Sequence, residues 1–175
     1  RKTVRSGLIG SAARRRPTFY ALERNAAELS MPHVSLSHSP DPARMARLAN
    51  ACNLAQANVQ DRIRPVRDES YFRWRYQNPL SDYRFLFWKN NRMEGYLVLY
   101  SSADSFDAET WTHIVDWAIP NAQVWSELVQ VVIDWGKFSN IYIWVDAMPT
   151  DLVDVLAQRN FTFNERSGRL RQDIE

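Results

Sequence analysis

Residues 68–102, DESYFRWRYQNPLSDYRFLFWKNNRMEGYLVLYSS, constrain the fold more than any other stretch of the chain. Phe72 and Tyr76 stand four apart and so share one face of a short helix. Asp68 or Glu69 at its start suits the positive end of the helix dipole. Pro79 stops it, because proline restricts the residue before it and supplies no amide donor. Residues 83–89 and 93–100 are then rich in aromatic and aliphatic side chains, as strands are. Asn90-Asn91-Arg92 between them is turn chemistry, since asparagine tolerates left-handed backbone angles. Helix, strand, turn and strand in direct succession call for a layered α/β architecture.

The flanking sequence extends that pattern. Residues 34–37 alternate like a first strand. Ser39-Pro40-Asp41-Pro42 breaks it and opens a helix, with Asp41 as cap and Pro42 at the first helical position. Met45, Leu48, Ala49 and Cys52 recur at helical spacing, so this helix is expected to run through about residue 57. Residues 62–67 read as irregular, 101–110 as a polar loop and 112–117 as a third long strand. Asn121 caps the next helix, and Val124, Leu128, Val131, Val132 and Trp135 give it a broad apolar face through about residue 138. The apolar run 141–145 predicts a strand buried on both sides. Thr150 is expected to cap a short helix bearing Leu152, Val155 and Leu156, and 161–163 to form a last strand. The predicted order is β-α-α-β-β-β-α-β-α-β, a mixed central sheet with helices on both faces. Six tryptophans (Trp88, Trp111, Trp117, Trp125, Trp135 and Trp144) fall in strands or on the apolar helix face, where core packing is the default. Arg73-Trp74-Arg75-Tyr76 is expected to fix its helix against the sheet, with an arginine packing on Trp74 and Tyr76 or pairing with Asp82 rather than holding a substrate carboxylate or phosphate.

Composition bounds the class. A chain of 175 residues with 45% hydrophobic and 13% aromatic content is an ordinary globular domain rather than a disordered one. No apolar run approaches the roughly 20 residues of a membrane helix. The single cysteine, Cys52, has no internal disulfide partner and fits a reducing, cytoplasmic setting, where it reads as an inert thiol. Charge is uneven. Residues 1–32 hold seven Lys/Arg against two Glu, whereas residues 33–175 carry a small negative excess. The basic segment, centred on Arg14-Arg15-Arg16-Pro17, reads as a linker or extension from an upstream domain, with 33–175 as the folded unit. It lacks interleaved aromatics and any nucleic-acid fold signature, so no nucleic-acid partner is expected. His33, His38 and His113 are far apart in sequence, and no metal site is expected.

The order of elements, together with Tyr71-Phe72-Arg73-Trp74-Arg75-Tyr76, Asn78-Pro79, Tyr83 and Glu94-Gly95-Tyr96-Leu97-Val98, resembles the Gcn5-related N-acetyltransferase (GNAT) superfamily. The likeness is to its bacterial branch with a WRY, P and Y segment. Ile114-Val115-Asp116 resembles that family's fourth strand. Arg159-Asn160-Phe161 sits where many of its members carry leucine-glycine-phenylalanine. The resemblance spans about residues 33–166.

It implies the acyl-CoA N-acyltransferase fold and transfer of an acetyl or acyl group from acyl-coenzyme A to a small-molecule amine or amino sugar. The fourth and fifth strands of that fold splay to admit the pantetheine arm, here between residues 112–119 and 141–145. By the same resemblance acetyl-coenzyme A as co-substrate would meet Trp117, Ala118 and Ile119, with its pyrophosphate at the helix start formed by Asn121, Ala122 and Gln123. Asp116 is the implied general base, with Glu109 and His113 flanking the same strand. The position matching the family's tyrosine acid is Leu156. The chain departs from the pattern at the pyrophosphate loop, because residues 119–124 contain no glycine and are short. Two alternatives therefore stand beside catalysis. One is a GNAT-fold binding or structural domain of a larger protein that has lost the loop, and the other is an aminoacyl-transferase-like domain using a different donor.

Overall fold

The computed structural model describes residues 33–55, 66–79, 81–92, 94–102, 111–135, 140–146, 148–164 and 169–173. The basic segment 1–32, residues 62–65, most of the 101–110 loop and the helix end near 138 lie outside them. The elements run β1 (Val34–Ser37), α1 (Pro42–Ala55), α2 (Glu69–Arg75), β2 (Asp82–Lys89), β3 (Glu94–Ser102), β4 (Trp111–Ala118), α3 (Ala122–Trp135), β5 (Asn140–Trp144), α4 (Thr150–Gln158), β6 (Thr162–Asn164) and β7 (Arg169–Asp173). Among the described residues the strands form one mixed sheet in the order β1-β2-β3-β4-β5-β7-β6. Only β4 and β5 run parallel, and the other neighbours pair antiparallel. The molecule is thus a mixed α/β sandwich, as the pattern of periods predicts.

Helix starts follow local chemistry. Asp41 Oδ1 accepts from the Arg44 amide at 3.1 Å, and Asp68 Oδ1 from the Tyr71 amide at 2.7 Å. Asn121 Oδ1 accepts from the Val124 amide at 3.0 Å. Each bond satisfies one orphan donor of a first turn. Thr150 does not act as a cap: it is the first helical residue, after Pro149 in an extended conformation, and no side chain caps α4. At the other end of α4, Asn160 takes φ 63° and the Phe161 amide reaches back to the Leu156 carbonyl at 3.1 Å. Asparagine here adopts the left-handed position that glycine commonly holds.

Two apolar layers cover the sheet. On one face Trp125, Leu128, Val129 and Val132 of α3 meet Leu86, Leu97, Leu99, Ile114, Ile141 and Ile143, with Leu152 and Leu156 of α4. On the other, Met45, Leu48 and Ala49 of α1 and Phe72 and Tyr76 of the α2 segment meet Phe85, Phe87, Tyr96, Val98 and Ala118. Phe72 and Tyr76 stack at 6.3 Å with an interplanar angle of 7°. The polar group of Trp125 is satisfied by the Leu152 carbonyl at 3.1 Å. Gly95 admits a close approach: a Cβ there would stand 3.2 Å from the Ala118 carbonyl oxygen and 3.2 Å from a Val124 methyl, so β3 lies tight against the β4–α3 corner.

Four expectations need correction. Strand β7 has no counterpart in the predicted order; Arg169-Leu170-Arg171-Gln172-Asp173 is too polar to read as a strand wedged between β5 and β6. Strand β5 is buried on one face only: Ile141 and Ile143 face α3, whereas Tyr142 is half-buried and Trp144 is 51% exposed. Trp74 is 65% exposed, because Phe72 and Tyr76 already fill the inward face of a seven-residue helix. Asp82 pairs with Arg84 on its own strand and Arg73 with Glu69 one turn back, so neither helix arginine reaches Asp82, while Arg75 packs on Tyr76 as expected and on Tyr71 in place of Trp74.

Candidate functional site: a cleft where two parallel strands part

Parallel pairing of β4 with β5 begins at Trp111 and Asn140 and ends at Ile114 and Ile143. Beyond that point the ladder between them ends, while β4 runs on to Ala118 and β5 only to Trp144. A cleft of about 410 Å³ opens there, lined among others by His113, Val115 and Trp117 of β4, Tyr142 and Trp144 of β5, and Arg75 of α2. That volume lies in the range of small-molecule sites.

A β-bulge in β4 shapes the cleft wall. Val98 of β3 is opposite Asp116 and Leu99 is opposite Ile114, so Val115 has no partner across the ladder. Val115 and Asp116 consequently both face the α1 and α2 layer, while Ile114 and Trp117 on either side face α3. A bulge of this kind re-aims side chains locally.

The bulge delivers Asp116 into a buried polar cluster, where it is 8% exposed. Its Oδ1 forms an ion pair with Arg67, and its Oδ2 accepts from the Tyr76 hydroxyl at 2.9 Å. Arg67 also donates to the Tyr96 hydroxyl at 2.5 Å and to the Trp117 carbonyl at 3.3 Å, with its guanidinium 5.5 Å above the Phe72 ring. Burial pushes the Asp116 carboxyl up, and the Arg67 guanidinium and Tyr76 hydroxyl oppose that rise. For Arg67 burial works against the cation, but Asp116 and the neighbouring tyrosines more than offset it and its pKa moves up. Burial, reinforced by the Asp116 charge, raises Tyr76 and Tyr96 well above the ordinary phenol value, so both remain neutral.

The remaining sequence-nominated residues separate into three places. Trp117 lines the cleft and packs on Trp125 at 5.6 Å. Ala118 is turned to the opposite face, in the α1 and α2 layer. Ile119 packs against the α3 core, and its carbonyl accepts from the Cys52 thiol at 3.1 Å. Burial pushes that thiol's pKa up, which fits an inert cysteine. Asn121 is the cap, Ala122 opens α3, and Gln123 donates to Glu127 at 2.9 Å. None of these three is among the residues that line the cleft. Asp116 is beside the cleft in sequence, but its carboxylate is spent on Arg67 and Tyr76. Glu109 lies outside the described residues. Arg75, Tyr142 and Trp144 form the cleft without having been assigned to it; the alternation of Tyr142 and Trp144 within 141–145 was the available signal. Among the described residues no group of three or more His, Cys, Asp or Glu is arranged to hold a metal ion. None of the described helices is long and apolar enough to cross a membrane.

Together these features define an α/β protein whose mixed sheet opens between two parallel strands into a small-molecule-sized cleft. No family model matches the chain, and no curated protein does. Among solved structures, the crystal structure of a domain from Methanocaldococcus jannaschii DSM 2661 matches with a TM-score of 0.51 at 10% identity, over 81% of this chain and 98% of that one. This likeness bears on the fold alone. The AtaT-AtaR complex bound to DNA matches over 80% of this chain and 93% of its own, at 16% identity and a TM-score of 0.42, too low to carry an argument.

Proposed function

We propose that the chain is a GNAT-like N-acyltransferase domain that moves an acetyl or acyl group from acyl-coenzyme A to a small-molecule amine. The parting of β4 from β5 beyond Ile114 and Ile143 is the observation that carries this reading. Where the ladder with β5 ends, the 115–118 backbone has no β5 partner, and an extended amide-bearing arm could pair with the part of it that Arg67 does not already hold at the Trp117 carbonyl. The donor's pyrophosphate would then meet the amides of Ala122 and Gln123, since Asn121 already occupies that of Val124. Without glycine in that corner, affinity in the micromolar range or weaker is expected, about −8 kcal/mol at 1 μM.

Proton removal from the attacking amine needs a base at the cleft. His113 is better situated than Asp116, because its ring is in the cleft wall and a neutral imidazole nitrogen can accept a proton, whereas the Asp116 carboxylate is held by Arg67 and Tyr76. Asp116 acts in this reading by holding α2 and the bulge in place. A protein of this kind would work in the cytoplasm.

The short, glycine-free connection of Ile119, Pro120 and Asn121 favours a second reading, a GNAT-fold binding domain that no longer takes coenzyme A. Calorimetry and thermal shift with millimolar acetyl-coenzyme A separate the two, since a ligand of the native state raises stability with occupancy. Heat and a shift are expected; neither would leave the binding-domain reading standing.

A further inference from the structure

Tyr83, Tyr100, His113 and Tyr142 occupy matching register positions on the adjacent strands β2, β3, β4 and β5. Their rings follow one another at centroid separations of 5.4, 6.3 and 5.4 Å, the last pair stacked at 26°. All four are half-buried, and Tyr76 closes the row with an edge contact to Tyr83 at 4.9 Å. The row leads into the cleft at His113 and Tyr142. Over the same end stands Arg75, whose Nε is buried without a hydrogen-bond partner. Among the lining residues Arg75 is the one cation, and no carboxylate accompanies it.

We propose that this shelf binds a planar aromatic amine that also bears a carboxylate. A run of rings offers flat apolar faces to a flat ligand. A guanidinium offers a fork that matches a planar carboxylate, and a buried donor left unfilled is costly. A cleft of about 410 Å³ accommodates one substituted ring. The inference deepens the transferase reading by naming its acceptor, yet binding to the shelf requires no acyl donor.

The test is calorimetry of the whole chain, without coenzyme A, using 4-aminophenylacetate, its neutral amide, and 4-aminocyclohexylacetate. The acid is expected to bind at least tenfold more tightly than the amide and than the saturated ring. Arg75→Met should erase the preference for acid over amide. Arg73→Met, which removes a neighbouring cation paired with Glu69 on the exposed side, should leave it intact. If Arg75→Met fails to fold, the comparison of acid with amide on the native chain still decides. Equal binding of acid and amide, equal binding of the saturated ring, or no heat at millimolar ligand overturns the proposal. A negative acetyl-coenzyme A titration beside a positive acid titration removes the transferase reading and keeps the aromatic acid site.

Discussion

Replacing Asp116 with asparagine tests the central electrostatic claim about the site. The carboxylate is 8% exposed and Arg67 is 19% exposed, so little water screens the pair. Asparagine keeps the shape and can still accept from Tyr76, but it strands a buried guanidinium. Breaking a buried pair by removing one partner costs about 3–5 kcal/mol. Arg67 retains its bonds to the Tyr96 hydroxyl and the Trp117 carbonyl, which places Asp116→Asn near the low end, about 3 kcal/mol. Arg67→Met should cost a similar amount. The double variant should cost less than the sum by at least about 1.5 kcal/mol, because no unpaired charge remains. Urea unfolding followed by tryptophan fluorescence, with an unchanged dependence on denaturant, reads all three. A cost under about 1 kcal/mol for Asp116→Asn, additive with Arg67→Met, would mean that the carboxyl is already protonated in the folded state. The ion-pair account would then be wrong.

Three further outcomes are expected. Glu94 is held below the usual carboxylate range, first by its hydrogen bond from Arg47, with Lys89 and Arg44 adding; its stabilisation is therefore full above the unfolded carboxylate value and lost as pH falls through the lower folded one. Glu94→Gln should accordingly narrow its stability gap to the native chain as denaturation is repeated from pH 6 down to pH 3. Phe72→Ala should cost about 3–5 kcal/mol and Trp74→Ala less than about 0.5, by thermal unfolding, given 0% and 65% exposure; comparable losses would show that Trp74 packs. Asn160→Gly should preserve or slightly raise the melting temperature, whereas Asn160→Val should lose about 1–2 kcal/mol at φ 63°.

Much of the architecture was legible because single-segment physics governs it. Caps at Asp41, Asp68 and Asn121, the stop at Pro79 and the Asn90-Asn91 turn each act within a few residues. Features set by partners distant in sequence were not. The polar β7 is a strand because β5 and β6 flank it, and Trp144 lies just beyond the four residue pairs that join β5 to β4. The same limit applied at the site. Asp116 stood out as a lone carboxylate in an apolar strand, but nothing local announced that Arg67, 49 residues earlier, would reach it. Arg75 read as a packing or pairing residue of its own helix, and its place in the cleft depends on where α2 docks.

The unpaired Val115 divides β4 into two reading frames. Ile114 and the residues before it obey one inside-outside phase; Asp116, Trp117 and Ala118 obey the opposite one, and α3 is attached to the second. Deleting Val115 would bring the two halves into one regular alternation, because Ile114 and Asp116 already stand opposite consecutive residues of β3, Leu99 and Val98. Asp116 and Trp117 would keep their layers, and the strand would lose the local bend and twist of the bulge beside the cleft. The bulge therefore shapes the cleft wall rather than deciding which layer each residue enters. Many side chains should be tolerated at 115, and a chain one residue shorter should still assemble both layers.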